Sequence, residues 1–305
     1  MEYIKSKKGF MRILISGATG FVGRAVVRKL LDSGHEIVIL QRPNSKHSLE
    51  SGGRVIVYRA NLERPLETDD LCGDAIINLC GIIREFPLRG ISFYKTHFLV
   101  NKHLVDFASK NKIKRFILMS ALGVYSNPRT AYQDTKYQAE QYLHDSSLNW
   151  TIFRPSLIFG PDGEFIKMLV KMIKQVPLVP VVGDGKYLLQ PVWIDDVALG
   201  FCKSISDPRT YGMTYEFGGP EVLNYNQILD IIGASLGRRK VRKIHFPVAF
   251  LRPFAAVLGR FRQFPLTNDQ ITMLLDSNFT EDKTYFETFG LTPKTFHDGL
   301  KEFIV

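Results

Sequence analysis

The feature that most constrains this chain is a seven-residue loop, Gly17-Ala18-Thr19-Gly20-Phe21-Val22-Gly23, set between an apolar run at residues 12–16 and a helical period at 23–33. Glycines at this spacing serve three purposes. The first admits a tight turn, the second lets backbone come close to a bound group, and the third lets the helix pack tightly on the strand. The unpaired N–H groups at the start of the helix, with its partial positive charge, favour an anion there. The loop is therefore a phosphate-binding candidate: Gly17, Gly20 and Gly23, with Thr19, Phe21 and Val22 between them. A loose glycine pattern alone carries little weight; its place between a strand and a helix gives it meaning.

The elements that follow supply that context. Short apolar runs at residues 12–16, 36–40, 54–58, 75–80 and 115–120 alternate with helical periods, among them 23–33 and 98–110. Such alternation implies crossover units and a parallel sheet covered on both faces. The fold class expected is α/β, a doubly wound parallel Rossmann sheet with a smaller C-terminal substrate lobe. After Trp150-Thr151-Ile152-Phe153 the rhythm changes, with Pro177-Leu178-Val179-Pro180 and Gly183-Asp184-Gly185 and with helical patterns at 165–175 and 226–236. The expected organisation is an N-terminal arm at 1–10, a dinucleotide-binding domain at 11–155, and a mainly C-terminal lobe at 156–305 that returns to the first domain around 190–218.

Composition excludes more than it assigns. The three cysteines, Cys72, Cys80 and Cys202, are too few and too scattered for a disulfide scaffold or a zinc site. The lysine-rich start has no apolar stretch behind it of the kind a signal peptide needs, and no run approaches the roughly eighteen apolar residues of a membrane span. A cytoplasmic protein is expected, at most peripheral to a membrane. The formal net charge of +10 is spread thinly, as a solvated surface. Nucleic acid is not an expected partner, because no platform of aromatic and basic residues is evident. Residues 246–262 are apolar with arginines interleaved. A helix packed in the core of the lobe and an amphipathic element lying on a membrane or over a lipophilic pocket both remain open for that segment.

The second strand ends at Leu40-Gln41-Arg42, where NAD specificity usually places a carboxylate for the adenosine ribose. Gln41 removes the repulsion that would exclude a 2′-phosphate, and Arg42, with Ser45 and Lys46 close behind, can pair with one. NADP(H) is thus favoured over NAD(H); the alternative is that Arg42 is a solvated loop arginine. Asn61 and Leu62 follow the third strand, where an amide can hold the adenine amino group. Asn78-Leu79-Cys80-Gly81 ends the fourth: Gly81 leaves room for the cofactor, and Cys80 reads as a packed lining residue rather than a nucleophile.

Taken together, these residues resemble the short-chain dehydrogenase/reductase superfamily in its extended and atypical branches, over nearly the whole chain. The markers are the loop at Gly17, Gly20 and Gly23; Asn78 to Gly81; Tyr132-Gln133-Asp134-Thr135-Lys136; Arg154-Pro155-Ser156; and Pro191-Val192-Trp193-Ile194-Asp195-Asp196-Val197. Ile76-Ile77-Asn78-Leu79-Cys80-Gly81-Ile82, Met119-Ser120-Ala121-Leu122-Gly123 and Gln190-Pro191-Val192-Trp193 are similar to the branch of the nucleotide-binding accessory (39 kDa-type) subunit of respiratory complex I and its bacterial epimerase/dehydratase-like relatives.

The resemblance implies Tyr132 as general acid or base, and Lys136 as a grip on the nicotinamide ribose that lowers the phenol's pKa from about 10. Four residues apart in a helical stretch at 131–143, the two share a face. The family's third member, a Ser or Thr that bonds the reacting oxygen, falls at Ala121. Ser120 lies one residue early, and both a catalytic and a structural role stand for it. Losing such a donor costs on the order of a hundredfold in rate. Pro155 lies where backbone passes the nicotinamide amide; Arg154 either shares that place or pairs with a carboxylate. Asp195 and Asp196 read as a helix N-cap before Val197. His97, His103 and His245 show no metal spacing and read as surface or internally satisfied histidines.

The function expected is an oxidoreductase or redox isomerase acting on an apolar or quinone-like small molecule. The other reading is a cofactor-holding accessory subunit or assembly protein of a respiratory or quinone-related complex. Ala121 favours the second and the Tyr132/Lys136 pair the first.

Overall fold

The computed structural model describes residues 10–45, 53–258 and 266–304, with side chains described except at 256–258. The expected N-terminal arm apart from Phe10, Lys46, and the last part of the arginine-rich segment lie outside the described residues.

Strand β1 (Arg12–Ser16) leads through the glycine loop into α1 (Phe21–Asp32), then β2 (Glu36–Gln41), β3 (Val55–Arg59) and β4 (Ala75–Asn78). A π-helical stretch at Tyr94–Leu99 runs into α2 (Val100–Lys110), followed by β5 (Arg115–Met119), α3 (Ala131–His144) and β6 (Asn149–Pro155). The second half begins with β7 (Ile158–Phe159), α4 (Glu164–Gln175), β8 (Val179–Val182), β9 (Leu188–Leu189), β10 (Val192–Trp193) and α5 (Ile194–Ser204). It ends with β11 (Met213–Phe217), β12 (Leu223–Asn224), α6 (Tyr225–Ser235), β13 (Lys243–Phe246) and helices α7 (Val248–Leu258), α8 (Asn268–Leu275), α9 (Thr284–Phe289) and α10 (Phe296–Lys301).

Seven strands form one parallel sheet in the order β11-β6-β5-β4-β1-β2-β3. This is the doubly wound α/β architecture expected. The chain reverses direction across the sheet between β1 and β4, and the crevice beyond the C-terminal ends of those two strands is where such sheets bind ligands. Both faces of the sheet are buried, which explains the near-continuous apolar runs. Ile13 and Ile15 face a core shared with Val26 and Leu30 of α1 and Val197 and Phe201 of α5. Leu14 faces the other core, with Ile76, Leu104, Phe107 and Phe116.

The later part of the chain is fastened to this sheet at specific points. β11 pairs with β6, Tyr215 opposite Phe153. Tyr285 of α9 stacks flat on Phe217 at 3.6 Å between ring centroids, and its hydroxyl donates to the Asp196 carbonyl at 2.8 Å. Asp195 and Asp196 do not cap α5 as expected: the N-cap position is Trp193, and the two acids fall in the first turn. There Asp195 pairs with Arg28 at 2.8 Å and Asp196 accepts the Lys294 backbone N–H at 3.0 Å. Long-range partners outcompete the local capping geometry.

The buried Arg115 of β5 is a further fastening. Its guanidinium donates to the carbonyls of Asn149 (2.8 Å), Ser204 (2.7 Å) and Ile205 (3.3 Å) and to the hydroxyls of Thr151 (2.8 Å) and Thr210 (3.0 Å). Burial pulls it down to about 10, so it stays charged at neutral pH. Arg115→Ala leaves several of these acceptors unpaired inside the protein, each costing about 1–3 kcal/mol. Chemical denaturation is expected to show a loss of about 3 kcal/mol or more.

Candidate functional site

The glycine loop is built by close approaches that only glycine permits. Gly17 has φ +74°, and a Cβ there would lie 2.7 Å from the carbonyl carbon of Leu79, just beyond β4. A Cβ at Gly23 would lie 2.2 Å from the Gly17 carbonyl oxygen and 2.6 Å from that of Ala18. Gly20 differs: a Cβ there would meet only the Gly17 carbonyl, at 3.3 Å. Gly17 and Gly23 are thus tied to the fold by several backbone contacts, while Gly20 is exposed and held close to the Gly17 carbonyl alone. Helix α1 starts at Gly20 with no side-chain cap and no acid in its first turn, so its N-terminal N–H groups keep their positive end uncompensated. Val22 is buried in the core, Phe21 packs towards Gly160 and Gly163, and Thr19 is half-buried.

Below the loop runs a chain of buried hydrogen bonds. Ser16 Oγ donates to Asn78 Oδ1 (2.7 Å), Asn78 Nδ2 to Asn101 Oδ1 (2.9 Å), and Asn101 Nδ2 to the Ala139 carbonyl (2.9 Å). Asn78 Oδ1 also accepts the Cys80 N–H at 3.1 Å, which turns the backbone out of β4 two residues earlier than its apolar run suggests. The ladder joins β1, β4, α2 and α3, the elements that meet at the crevice. Burial pushes the Cys80 thiol up, which suits a lining residue.

Tyr132 and Lys136 lie on the buried face of α3, whose start is capped by Thr130. Lys136 Nζ donates to the Met119 carbonyl at 3.0 Å, at the end of β5, and lies 3.4 Å from where a Gly81 Cβ would be. Gly81 thereby keeps a space open over the lysine. Burial lowers Lys136 to about 8 and raises Tyr132 to about 12. The lowering of the phenol that the resemblance implied is not seen, because loss of solvation around Tyr132 dominates. Ser120, next to Met119, has a buried Oγ without a hydrogen-bond partner among the described residues.

His97 sits against this pair. It is buried on the π-helical stretch, its ring stacked on Phe93 (5.3 Å) and meeting the Tyr132 ring edge-on (5.1 Å). Nδ1 is 3.0 Å from Thr135 Oγ1, and Nε2 lies 3.2 Å from the Ile82 N–H. Burial first, then the charge of Lys136, holds it down to about 2, so it is neutral. The other sequence candidates are spread along the crevice. Gln41 is buried and bonds Ser45 at 2.9 Å, while Arg42 is exposed. Arg42 and Lys136 both act electrostatically on the Cys80 thiol, against the larger upward effect of its burial. Asn61 Oδ1 accepts the Glu63 N–H at 3.1 Å, and the Leu62 carbonyl lies 2.9 Å from His103 Nδ1.

At the end of β6, the Pro155 carbonyl accepts the Leu122 N–H at 2.9 Å. Arg154 pairs with Glu140 (2.5 Å) and Glu216 (2.9 Å), which settles it as a structural ion pair. Asn278 reaches in from the later part of the chain, accepting from Ser156 Oγ at 2.8 Å and donating to the Leu122 carbonyl at 3.1 Å. Ser16, Asn101 and Asn278 were not singled out from sequence, and His97 was read there only as a surface or internally satisfied histidine. Asn101 left a signal: a polar residue at a core position of an apolar helical stripe. Among the described residues no cluster of three or more His, Cys, Asp or Glu could hold a metal ion.

The model of one family covers residues 13–218, two thirds of the chain, including the loop, the ladder and the Tyr132/Lys136 pair. The chain belongs to the NAD dependent epimerase/dehydratase family. It is 25% identical to NADH dehydrogenase (ubiquinone) 1 alpha subcomplex subunit 9, mitochondrial, of Arabidopsis thaliana, over 95% of this chain and 76% of that protein. It is 26% identical to the NADH-ubiquinone oxidoreductase 40 kDa subunit of Neurospora crassa, over 95% and 77%. An isoflavone reductase homolog of Lupinus albus is 23% identical, over 78% and 81%. Among solved structures, UDP-glucose 4-epimerase of Thermotoga maritima with UDP-glucose superposes with a TM-score of 0.71 over 96% of this chain and 97% of that one. At 19% identity it speaks for the fold alone.

The Lys136 shift has a defined consequence for stability. Its folded value of about 8 lies below the ordinary 10.5, so between these pH values the unfolded chain holds a proton that the folded chain has released. Stability of the wild type relative to Lys136→Met is therefore expected to rise with pH across that window and to stay flat below pH 8. Urea denaturation of both proteins from pH 6 to 10 measures it.

Proposed function

We propose that this chain binds a nicotinamide dinucleotide in the crevice, NADP(H) in preference to NAD(H), and serves as an oxidoreductase or redox isomerase on an apolar or quinone-like small molecule. The observation that carries the reading is the uncapped start of α1 behind the exposed Gly20, at the point where the sheet reverses direction. The surroundings fit the rest of such a molecule. Gly81 leaves space over Lys136, and Ser120 holds a buried hydroxyl in need of a partner. Arg42 follows Gln41 where a ribose-binding carboxylate would otherwise stand. Asn61, Leu62, Cys80 and Pro155 complete the proposed lining.

When bound, the nicotinamide supplies or accepts a hydride. Lys136, mostly protonated at neutral pH, holds hydroxyls of the adjacent ribose. Tyr132, pushed up to about 12, keeps its proton at neutral pH and gives it to a substrate oxygen whose carbon has taken the hydride. It then regains a proton from solvent. Ala121 offers no donor at the usual third position, and Ser120 Oγ takes that place in this reading.

A second reading has a specific basis. Ala121 and the high Tyr132 value weaken turnover, and the relatives named as subunits of NADH dehydrogenase point to an accessory subunit of a respiratory complex, with the dinucleotide stabilising the fold. Recovery in a large membrane complex on fractionation supports this role, and a free pool supports the enzyme.

Fluorescence titration with NADPH and NADH tests the cofactor. NADPH should bind at least about tenfold more tightly, as one charge-assisted arginine–phosphate contact contributes about 1.5–3 kcal/mol, and Arg42→Ala should erase the difference. Tyr132→Phe should leave NADPH affinity within about twofold while lowering reduction of ketones or quinones by about a hundredfold or more. Absence of turnover in the wild type, with binding intact, selects the accessory role.

A further inference from the structure

The lobe that follows the sheet carries a surface that the crevice does not use. β8 and β13 pair in parallel, with Pro180 opposite Ile244 and Val182 opposite Phe246. Val179 and Val181 turn inward, so Leu178 (49% exposed), Pro180, Ile244 and Phe246 project outward. The chain continues through Pro247 into α7, where Phe250 and Phe254, 69% and 59% exposed, stand one turn apart on the same face. Ala255, on another side of the helix, is buried. These exposed aliphatic and aromatic side chains follow one another along the chain from β13 through Pro247 into α7, the kind of surface that marks an interaction site.

Its rim is cationic. Arg239, Lys240 and Arg242 are exposed immediately before β13, and Arg252 is exposed on α7. From Asp230 to Asp269 the sequence holds no carboxylate. Asp184, beside His245 and Pro247, accepts the Lys186 backbone N–H. Asp230 is taken by Lys243 at 2.6 Å. An apolar ridge whose edge carries Arg239, Lys240, Arg242 and Arg252 against the carboxylate of Asp184 matches the boundary of an anionic bilayer: the rings enter the acyl region and the cations meet headgroup phosphates. A second copy of this chain would bring the same cations against them. Among the described residues no helix is long and apolar enough to cross a membrane, so the contact is with the surface.

We propose that the β8/β13 ridge and α7 dock this protein on anionic lipid membranes, Phe250 and Phe254 inserting and Arg239, Lys240 and Arg242 engaging headgroups. α7 packs on α8, whose Asp269 accepts the backbone N–H groups of Ala131 and Tyr132. The docking face therefore belongs to the part of the molecule that touches the start of α3. The inference stands whether or not the crevice turns over a substrate.

The test is flotation of the full chain with vesicles of phosphatidylcholine alone or mixed equally with phosphatidylglycerol. Partition is expected to be at least about tenfold stronger on the anionic vesicles and to weaken with salt. The Phe250→Ser/Phe254→Ser and Arg239→Glu/Lys240→Glu/Arg242→Glu variants should each lose about tenfold, with unfolding temperatures checked alongside. A Phe250→Trp variant, which keeps an aromatic ring, should gain fluorescence quenched by lipids brominated on their acyl chains. No partition on anionic vesicles, variants equal to wild type, or an unquenched tryptophan overturns the proposal. An aromatic variant that only dissolves a dimer assigns the ridge to a second copy and overturns it as well.

Discussion

The backbone of the turn at Gly17 touches the backbone at the end of β4, and the geometry of the crevice follows from that contact. A methyl group at Gly17 would sit within 3 Å of Leu79 and Cys80, so any other residue would push the loop away from the strand. The same approach lets Ser16 reach Asn78, and through it the ladder to Asn101 and α3 is set. Gly23 then seats α1 against the turn, and the helix start is aimed over the point where the sheet reverses. Buried amides are costly unless paired, and the ladder pairs them in one arrangement only, which holds four elements in register at the crevice.

The titrating groups of the crevice take their character from burial. Lys136 is a desolvated cation held by one backbone carbonyl, and the loss of water lowers it to about 8 in spite of Glu140 and Cys80. Tyr132 and His97 are displaced in opposite directions by the same desolvation, one kept protonated and the other kept neutral. Together they make a dry, weakly polar wall around one ammonium. Such a wall gives the Lys136 cation more reach than it would have in water.

The parallel sheet and glycine loop were legible because both write a local signature: apolar runs of strand length, then a glycine pattern joining strand to helix. What sequence could not reveal was pairing at a distance. Asp195 and Asp196 have the composition of a cap, but Arg28, 167 residues away, and the backbone of Lys294 claim them. Arg154 found Glu140 and Glu216, and neither lies near it in sequence. His97 read only as a surface or internally satisfied histidine, because nothing local announces a π-helical stretch or the Phe93 and Tyr132 rings around it. The two-residue strands β7, β9, β10 and β12 are too short to leave a period. The shifted values of Tyr132 and Lys136 depend on enclosure by several elements, which the Tyr-x-x-x-Lys spacing does not encode.

The central claim is that the Gly17–Gly23 turn holds a dinucleotide phosphate group, and Gly20 offers the most direct access to it. Gly20 has φ −74°, which any residue adopts; it is exposed, and a Cβ there would meet only the Gly17 carbonyl oxygen, at 3.3 Å, which the turn must give by a few tenths of an ångström to admit. Calorimetric titration of Gly20→Val with NADPH, beside its thermal unfolding curve, separates binding from folding. The account predicts an unfolding temperature within a few degrees of wild type and affinity weakened by about tenfold or more. A folded Gly20→Val protein that binds NADPH as tightly as wild type would contradict it.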